Sequence, residues 1–351
     1  MTVALRILIV SDAWRPQVNG VVRTLERTRD ELAALGHVVE VIGPDRFRTL
    51  PCPTYPEIRL ALVGWRRMAG LIAAFAPDAI HVATEGPLGH AARRACLRRD
   101  WPFTTAYHTA FPEYLRARTG LPLAWSYAYL RAFHARAEGT MVATASLART
   151  LARRGFQRLR SWSRGVDTEK FRPGPKDGLA GDRPILLYAG RVAIEKNLEA
   201  FLGLDVPGTK YVVGTSPDLA ALRRRHPAVR FQGYLDNGAL VAHYAAADVF
   251  VFPSRTDTFG LVMLEALACG VPVAAYPVTG PLDVIADSGA GALDEDLGRA
   301  ITRALAIPPE RCRAYALMFT WRACALQFLA NLAPISGLRM SPALPEGVTS
   351  R

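Results

Sequence analysis

The sequence predicts an α/β fold with two similar doubly wound domains, each a parallel sheet covered by helices and both facing one cleft. Short apolar runs alternate with helix-length amphipathic stretches in both halves of the chain, which is typical of parallel sheets. A proline- and glycine-rich segment separates the halves, and a length of 351 residues suits two domains. Half of the residues are hydrophobic and 21% are charged, which excludes wholesale disorder.

The first half contains the strand–helix alternation from its beginning. The predicted strands are Leu5–Val10, Val38–Ile42, Ala79–Val82 and Gly139–Thr144, and the predicted helices are Val21–Leu35 and the region around Ala91–Arg99. The N-terminal apolar stretch lies between Arg6 and Asp12, which makes it too short for a signal-peptide core, so we interpret it as a buried strand. This alternation predicts a first domain over residues 1–172.

Two Pro-Gly clusters interrupt the pattern at residues 173–184, which we interpret as an interdomain linker because prolines exclude helices and central strands. The alternation then resumes in a second domain over residues 185–310. Its predicted strands are Ile185–Tyr188, Tyr211–Val213, Val229–Phe231, Val249–Phe252 and Val271–Ala275. Residues 311–332 are expected to form a C-terminal helix that packs back on the first domain, and residues 333–351 a disordered tail.

The positive charge is concentrated in the first half. Lysines and arginines number 43 against 31 acidic residues, giving a formal net charge of +12. Residues 1–172 carry 26 basic and 14 acidic side chains, whereas residues 173–351 carry 17 of each. We therefore expect the first half to face an anionic partner.

The cysteines and the hydropathy exclude further classes of protein. Five scattered cysteines without a C-x-x-C spacing predict neither a disulfide framework nor a zinc site, and they fit a reducing compartment. Because no run of about 18 apolar residues occurs, we expect no transmembrane helix and a soluble or peripheral protein.

The segment from Phe252 to Val273 predicts an anion site. An apolar strand ends in a polar loop, and Gly260 then opens an amphipathic helix. Unpaired backbone N–H groups at such a helix N-terminus bind phosphate. The expected donor-binding residues here are Asp257, Thr258, Phe259, Gly260, Leu261 and Val262, with Glu265 as an acceptor for ribose hydroxyls. Simple capping of the helix by Asp257 and Thr258 is the structural alternative.

Several motifs together resemble the retaining glycosyltransferases of family 4, which have the GT-B fold of two Rossmann-like domains. Asp257 and Glu265 resemble the family's E-x7-E pair, and Gly190-Arg191 through Lys196-Asn197 its G-R-x4-K-N loop. The other matching segments are Pro16–Val22, Tyr107–Phe111, Gly165–Phe171, Phe231–Tyr234 and Tyr244–Asp248. The resemblance covers residues 5–330 in the family's order.

The resemblance implies a role for each matching residue. His108, Arg191 and Lys196 would be catalytic, with the two cations on the donor pyrophosphate and His108 on the donor sugar. Asn19 and Gly20 would approach the donor in a glycine-containing loop. Taken alone, an R-x4-K pair is more often surface charge, and a single histidine is more often structural. The family also implies a nucleotide-sugar cosubstrate, retention of the anomeric configuration and no metal ion or other cofactor.

Two positions depart from the family pattern. Asp257 is one methylene shorter than the usual glutamate, and Val213-Gly-Thr-Ser-Pro-Asp replaces the commoner G-D-G-P loop. A third motif, Asp294-Glu-Asp296, looks like a D-x-D metal site. It directly precedes an amphipathic helix, however, so N-capping is the simpler interpretation and no metal ligand is predicted.

The basic first half predicts a lipid acceptor. Its arginines alternate with aromatic residues, as a peripheral membrane surface requires. Examples are Trp65, Arg93, Arg94, Trp101, Arg116, Trp125, Tyr127, Tyr129 and Arg131. A solvated basic helix face is the alternative. Segments around Asn19, Glu85 and Arg164 resemble the branch that makes glycosyl diacylglycerols, such as the sulfoquinovosyl- and glucuronosyl-diacylglycerol synthases. We place Glu85, Tyr107 and Arg164 on the acceptor side.

The resulting prediction is a UDP-sugar-dependent transferase acting on a membrane lipid such as diacylglycerol, at the cytoplasmic face of the plasma membrane. A GDP-mannose-dependent enzyme, or one with a soluble or polysaccharide acceptor, is the alternative within the same class. A basic nucleic-acid-binding protein is disfavoured because no compact basic motif occurs. A NAD-dependent oxidoreductase is disfavoured because no strand leads into G-x-G-x-x-G.

Overall fold

The structure is a computed structural model. It describes residues 3–335, except for residues 18, 53–54, 193–195, 217–218 and 256–258. Two parallel sheets, one in each half of the chain, dominate this part of the molecule. The predicted fold class is confirmed.

The first half is built on a six-stranded parallel sheet and a separate hairpin. Its strands are β1 (Arg6–Val10), β2 (Val38–Ile42), β3 (Thr49–Cys52), β4 (Tyr55–Ala61), β5 (Ala79–Val82), β6 (Thr104–Tyr107), β7 (Gly139–Val142) and β8 (Leu159–Ser161). The order across the sheet is β2-β1-β5-β6-β7-β8, and β3 pairs with β4 in an antiparallel hairpin. The hairpin is an element that the sequence analysis missed.

Helices cover both faces of this sheet. They are α1 (Gly20–Ala34), α2 (Trp65–Phe75), α3 (Pro87–Arg99), α4 (Phe111–Thr119), α5 (Leu123–His134) and α6 (Ala145–Arg153). Alternate residues of β1 point to opposite faces, so Ile7 and Ile9 pack with α1 while Leu8 and Val10 pack with α2 and α3. Burial on both faces explains why the strand appears in the sequence as a continuous apolar run.

The second half repeats the architecture. Its strands are β9 (Ile185–Ala189), β10 (Thr209–Val213), β11 (Arg230–Gly233), β12 (Val249–Phe252), β13 (Val273–Ala275) and β14 (Gly291–Leu293), in the parallel order β11-β10-β9-β12-β13-β14. Its helices are α7 (Leu198–Leu202), α8 (Leu219–Arg225), α9 (Asn237–Ala246), α10 (Leu261–Ala268), α11 (Pro281–Ile285), α12 (Leu297–Ala304) and α13 (Pro309–Ala316). The order of strands reverses direction at β9, where open α/β sheets bind ligands.

The chain passes between the two halves twice. After β8 it runs without a helix or strand from residue 162 to residue 184, and it returns through α13 to the last helix, α14 (Trp321–Asn331). The two passages touch, because the Val166 amide donates to the Phe319 carbonyl oxygen at 3.0 Å. At Gly165 a methyl group would lie 2.5 Å from the Trp321 nitrogen, so this position has no room for a side chain.

Helix α14 belongs to the core of the first half. Cys324 and Phe328 are fully buried with Leu25 of α1 and with Trp162. Packing continues past the helix, since Ala333 is buried and the Ile335 amide donates to the Asp78 carbonyl oxygen at 2.8 Å. Residues 333–335 are therefore part of the packed structure, in contrast to the disordered tail predicted over residues 333–351, and the rest of that range lies outside the described residues.

Candidate functional site

The predicted site residues follow the carboxyl ends of strands in both sheets, and the two edges face each other. Asn19 and Gly20 start α1 in the first half, and a methyl group built on Gly20 would lie 3.7 Å from Leu261 at the start of α10 in the second half. The Asn19 side-chain oxygen accepts hydrogen bonds from the Val21 and Val22 amides, both at 3.0 Å. Asn19 thus caps α1 and holds this helix start at the mouth of the cleft.

The start of α10 requires glycine. Gly260 has φ +84°, and a methyl group there would lie 2.7 Å from the Met263 side chain and 3.2 Å from the Phe252 ring. Phe259 is buried beside it, whereas Leu261 and Val262 are partly buried. The other two predicted donor contacts, Asp257 and Thr258, lie outside the described residues.

The loop after β9 packs against the loop after β10. Gly214 has φ +145°, and a methyl group there would lie 1.9 Å from the Gly190 carbonyl oxygen. The Tyr188 hydroxyl donates to the Arg191 carbonyl oxygen at 2.7 Å, which fixes the backbone where Arg191 begins the loop. The glycine in the unusual Val213-Gly-Thr-Ser segment therefore has a definite role, because it lets the two loops touch.

Lys196 lies close to the start of α10. Its Nζ is 6.0 Å from the centroid of the Phe252 ring, and the same ring borders Gly260. The neighbouring Asn197 has φ +51° and donates through its side chain to the Pro253 carbonyl oxygen at 3.0 Å. Arg191 is exposed. Lys196 and the start of α10 thus both lie against the Phe252 ring, an arrangement that suits phosphate oxygens.

Glu265 is buried and already engaged across the cleft. Its Oε1 forms an ion pair with Arg23 of α1, and its Oε2 accepts a hydrogen bond from the Tyr244 hydroxyl at 3.1 Å. Burial raises the pKa of the Glu265 carboxyl, an effect that the charge of Arg23 and the hydrogen bond from Tyr244 oppose. A ribose hydroxyl would have to share this carboxylate with Arg23, a partner that the sequence analysis did not identify.

His108 follows β6 and contacts Arg164. Arg164 Nη2 lies 3.3 Å from His108 Nδ1, and both side chains pack on Trp162, the histidine ring edge-on at 5.4 Å and the guanidinium carbon at 4.5 Å from a ring centroid. Burial lowers the pKa of His108 well below its usual range, and the charge of Arg164 adds to this effect. Arg164, predicted on the acceptor side, therefore lies directly beside the predicted donor-sugar residue.

The other two acceptor-side predictions have different surroundings. Glu85 Oε1 is 3.1 Å from His134 Nε2, and His134 Nδ1 is 2.9 Å from the Thr105 hydroxyl, so a buried hydrogen-bonded chain orients the Glu85 carboxylate. Tyr107 is only 1% exposed and packs against Phe156. Burial raises the pKa of the Tyr107 hydroxyl, and the position of the side chain in the core gives no support to an acceptor contact.

Asp12 is a further residue at this edge that sequence reasoning missed. Its carboxylate accepts hydrogen bonds from the Leu88 amide at 2.8 Å, the Gly89 amide at 3.2 Å and the Thr84 hydroxyl at 2.9 Å. It thereby caps α3 from another element, and a methyl group on Gly86 would lie 2.5 Å from it. These contacts account for Thr84 and Gly86 in the local Thr-Glu-Gly-Pro-Leu-Gly sequence. The pairing spans more than 70 residues, so no local signal could reveal it.

A second contact between the halves lies at the start of α6. The Asp283 carboxylate of α11 accepts hydrogen bonds from the Ser146 amide at 2.9 Å and from the Ser146 hydroxyl. Together with the Arg23–Glu265 ion pair, it joins the two edges that face the cleft.

The Asp294-Glu-Asp296 motif acts as a cap. Asp296 Oδ1 accepts hydrogen bonds from the Gly298 amide at 2.9 Å and the Arg299 amide at 3.2 Å. Asp294 forms ion pairs with Arg299 and Arg303 of α12. The Asp296 carboxylate therefore caps the N-terminus of α12, and the Asp294 carboxylate pairs with arginines of the same helix, as the N-capping interpretation predicts.

Two family models match the chain in succession. Residues 18–170 match the model described as "Glycosyltransferase Family 4", and residues 172–316 match the one described as "Glycosyl transferases group 1". The boundary between them falls near the start of the predicted linker.

Curated relatives of two kinds are similar to the chain. A GDP-mannose-dependent alpha-mannosyltransferase of Mycolicibacterium smegmatis is 32% identical, over 82% of this chain and 84% of its own length. Sulfoquinovosyl transferase SQD2 of Arabidopsis thaliana is 32% identical, over 70% and 51%. An alpha-monoglucosyldiacylglycerol synthase of Streptococcus pneumoniae is 26% identical, over 87% and 79%. The predicted likeness to the diacylglycerol branch is confirmed. The chain is also similar to GDP-mannose-dependent mannosyltransferases.

Solved structures share the fold. A sucrose-phosphate synthase from Thermosynechococcus elongatus superimposes with a TM-score of 0.74 at 22% identity, over 92% of this chain and 97% of that one.

Proposed function

The chain belongs to glycosyltransferase family 4 and is a glycosyltransferase with a nucleotide-sugar donor, and we propose that it transfers the sugar of a UDP-sugar to a membrane lipid such as diacylglycerol. In this proposal the anomeric configuration is retained and no metal ion takes part. The reaction takes place at the cytoplasmic face of the plasma membrane, to which the enzyme binds peripherally.

The chemistry of the donor half supports the leaving-group step. Departure of a nucleoside diphosphate places growing negative charge on the phosphate oxygens. The proximity of Lys196 to the start of α10 lets an ammonium group and backbone amides stabilise that charge together, while Arg191 offers two parallel donors from the adjoining loop. These groups can stabilise the leaving group without a divalent ion, so we expect full activity in EDTA.

His108 contributes as a hydrogen-bonding group for the donor sugar. Because burial and Arg164 hold the pKa of the His108 imidazole low, the ring is neutral at physiological pH. A neutral ring can orient a sugar hydroxyl without repelling the positive charge that develops at the anomeric carbon.

One surface observation supports the lipid acceptor. Helix α5 exposes an apolar face that contains Trp125, with 71% of its surface exposed, and Tyr129, with 47%. The preceding Leu121 and the start of α4 at Phe111 are exposed as well. Phe111 lies three residues after His108, so this exposed apolar region adjoins the cleft. We call this region the apolar patch and define it by the residues Phe111, Leu121, Trp125 and Tyr129.

The apolar patch is connected to the acceptor edge of the site. The Tyr129 hydroxyl donates to the Glu85 carbonyl oxygen at 3.3 Å and lies 2.5 Å from His90 Nε2. Arg116 of α4 and Arg131 of α5 are exposed on the same two helices. Aromatic rings at headgroup depth with nearby arginines suit an anionic lipid surface, and from there a lipid hydroxyl would reach the cleft. Tyr127 is an exception to the predicted aromatic surface, because its ring is buried and its hydroxyl donates to Glu113 at 2.6 Å.

GDP-mannose is the second candidate donor. The mannosyltransferase relative is similar over more than four fifths of both chains, and its name specifies that donor. The two donors share the diphosphate and differ in base and sugar, so the Lys196 and α10 arrangement serves either.

Sugar transfer to diacylglycerol in anionic liposomes tests the proposal. UDP-glucose, UDP-glucuronate, UDP-galactose and GDP-mannose are offered separately, with EDTA present. We expect a glycolipid from one UDP-sugar. A product from GDP-mannose alone would replace the donor assignment. Donor hydrolysis without any lipid product would contradict the proposed lipid acceptor. Loss of activity in EDTA, with recovery on adding Mg²⁺, would contradict the metal-independent mechanism.

A further inference from the structure

We propose that Arg164 is a positioning residue that fixes the tautomer of His108, with the Nδ1 lone pair held by the guanidinium and the proton on Nε2. The sugar-binding role of His108 rests on the proposed function, whereas the tautomer itself does not. His108 then presents an N–H donor at Nε2 and cannot act there as a proton acceptor.

The Arg164 guanidinium is held in a fixed orientation. Its Nη1 donates to the Trp162 carbonyl oxygen at 2.6 Å and to the Ser163 carbonyl oxygen at 3.0 Å. Its guanidinium carbon lies over the Trp162 ring, 4.5 Å from the centroid, and only 5% of the residue is exposed. The carbonyl contacts use Nη1 and leave Nη2 directed at His108 Nδ1, 3.3 Å away.

The chemistry of this contact allows one assignment. A guanidinium has N–H donors and no acceptor, and it stays ionised in proteins. Burial lowers the pKa of Arg164 to about 10, which still leaves it charged at neutral pH. The atom that meets Nη2 must therefore carry a lone pair. In a neutral imidazole with its lone pair on Nδ1, the proton is on Nε2.

The groups around His108 favour its neutral form. Among the residues that the structure describes, Arg164, His81 and His134 each disfavour a proton on the ring, after the larger effect of burial. In the described part of the chain no carboxylate forms an ion pair with Arg164, and its surroundings include the Cys324 thiol, which donates to the Ser163 carbonyl oxygen at 3.2 Å. The arginine therefore keeps its full charge toward the imidazole.

His134 at the same edge shows the opposite arrangement. It meets a carboxylate, Glu85, at Nε2 and a hydroxyl, Thr105, at Nδ1. A carboxylate oxygen has lone pairs and no proton to give, so Nε2 of His134 donates an N–H to Glu85. His108 thus meets a cation at Nδ1, whereas His134 meets an anion at Nε2, although the two histidines lie on neighbouring elements.

Nitrogen NMR of the ¹⁵N-histidine-labelled full chain tests the assignment directly, with His108 identified by comparison with His108→Gln. We expect Nε2 of His108 to be protonated, Nδ1 to be unprotonated, and neither signal to titrate between about pH 6 and pH 8. A proton on Nδ1, or a titration in that range, overturns the proposal. This NMR measurement needs only the folded wild-type protein and no substrate.

Two variants connect the tautomer to turnover. Arg164→Met removes the donor, so we expect a mixture of tautomers and an about 100-fold fall in kcat with a smaller change in the donor KM. Arg164→Lys retains a cationic donor and should recover part of both signals. Loss of activity in Arg164→Met with the Nε2–H tautomer unchanged would overturn the positioning role. Absence of sugar transfer by the wild-type enzyme, with the tautomer as assigned, would refute the proposed function alone.

Discussion

The two edges of the cleft are held in shape in different ways, one by side-chain contacts and the other by backbone conformation. The first-half edge consists of side chains that hold one another, as when Asp12 caps α3, His134 orients Glu85 and Arg164 contacts His108. The second-half edge depends on backbone shape at Gly190, Gly214 and Gly260. We infer that the backbone-shaped edge suits the diphosphate that UDP-sugars and GDP-sugars share. The side-chain edge suits recognition of one particular acceptor.

The largest expected effect lies in the second half. Lys196→Ala removes an ammonium group that would stabilise the leaving diphosphate, so we expect kcat to fall by about two to three orders of magnitude. Initial-rate kinetics with the identified donor measure this. Arg225→Ala is the control, because Arg225 is an exposed cation of the same half that pairs with Glu199. A near-normal rate in Lys196→Ala would show that the pyrophosphate is bound elsewhere.

Gly214→Ala tests whether the second-half edge depends on backbone shape. The added methyl group would meet the Gly190 carbonyl oxygen at 1.9 Å, and the residue would keep an unfavourable φ of +145°. We expect a loss of about 3 kcal/mol in the free energy of unfolding, together with weaker donor binding.

Gly233→Ala is the matched control for that substitution. Gly233 also has positive φ, +73°, but a methyl group there meets nothing within 4 Å. The cost should therefore be about 1 kcal/mol, from the backbone conformation alone. Urea unfolding of both variants compares them, and equal costs would contradict the assigned contact between the loops.

Trp125→Ser tests the membrane role of the first half. Removing the most exposed ring of the apolar patch should weaken binding to anionic liposomes about tenfold and leave the melting temperature unchanged. Tyr234→Ser is the control, since Tyr234 is 73% exposed but belongs to the second half. Equal losses in a liposome co-sedimentation assay would mean that the apolar patch is not the membrane surface.

The smallest effect concerns the contact between the two edges. Arg23→Ala leaves the buried Glu265 carboxylate without its ion-pair partner, and we expect a loss of about 1 kcal/mol at neutral pH, because Arg23 is partly exposed and water can replace it. Without Arg23 the pKa of Glu265 rises further. A raised carboxyl pKa means that the ionised form destabilises the fold, so the loss should shrink as pH falls toward the folded-state pKa.

Thermal unfolding from about pH 8 down to pH 5 measures this dependence. Arg15→Ala, which breaks the exposed Arg15–Glu26 pair, is the control and should show little effect. A loss in Arg23→Ala that stays constant over this range would contradict the role assigned to the Glu265 charge.

The sequence predicted the buried strands well and the contacts between distant residues poorly. Val38–Ile42, Ala79–Val82 and Val249–Phe252 match the observed strands residue for residue. The last two are buried throughout, and such strands are largely apolar runs, whereas Val38 is exposed at the edge of its sheet. The hairpin of β3 and β4 was missed because each of its strands carries a proline, which argues against a strand. Tyr127 was placed on the surface although it lies two residues from Trp125, about 200° around the helix, and so on the opposite side.

The candidate site was predicted as positions and not as contacts. His108, Lys196, Gly260 and Glu265 follow strands, so their location at the cleft could be derived from local patterns. The Arg23–Glu265 pair spans 242 residues and the Arg164–His108 pair spans 56. The first pair depends on how the two sheets are placed and the second on the order of strands within one sheet, and no local signal in the sequence encodes either.

The position of α14 has a consequence for the synthesis of the chain. The core of the first half includes Phe328, and a hydrogen bond from Ile335 closes its edge at Asp78. Almost the whole chain must therefore be synthesised and leave the ribosome before the first half can complete its fold. The strands and helices of the second half are complete at residue 316, so this half can fold before α14 of the first half has been synthesised. We expect nascent chains that stop before residue 321 to present an incomplete first half to chaperones.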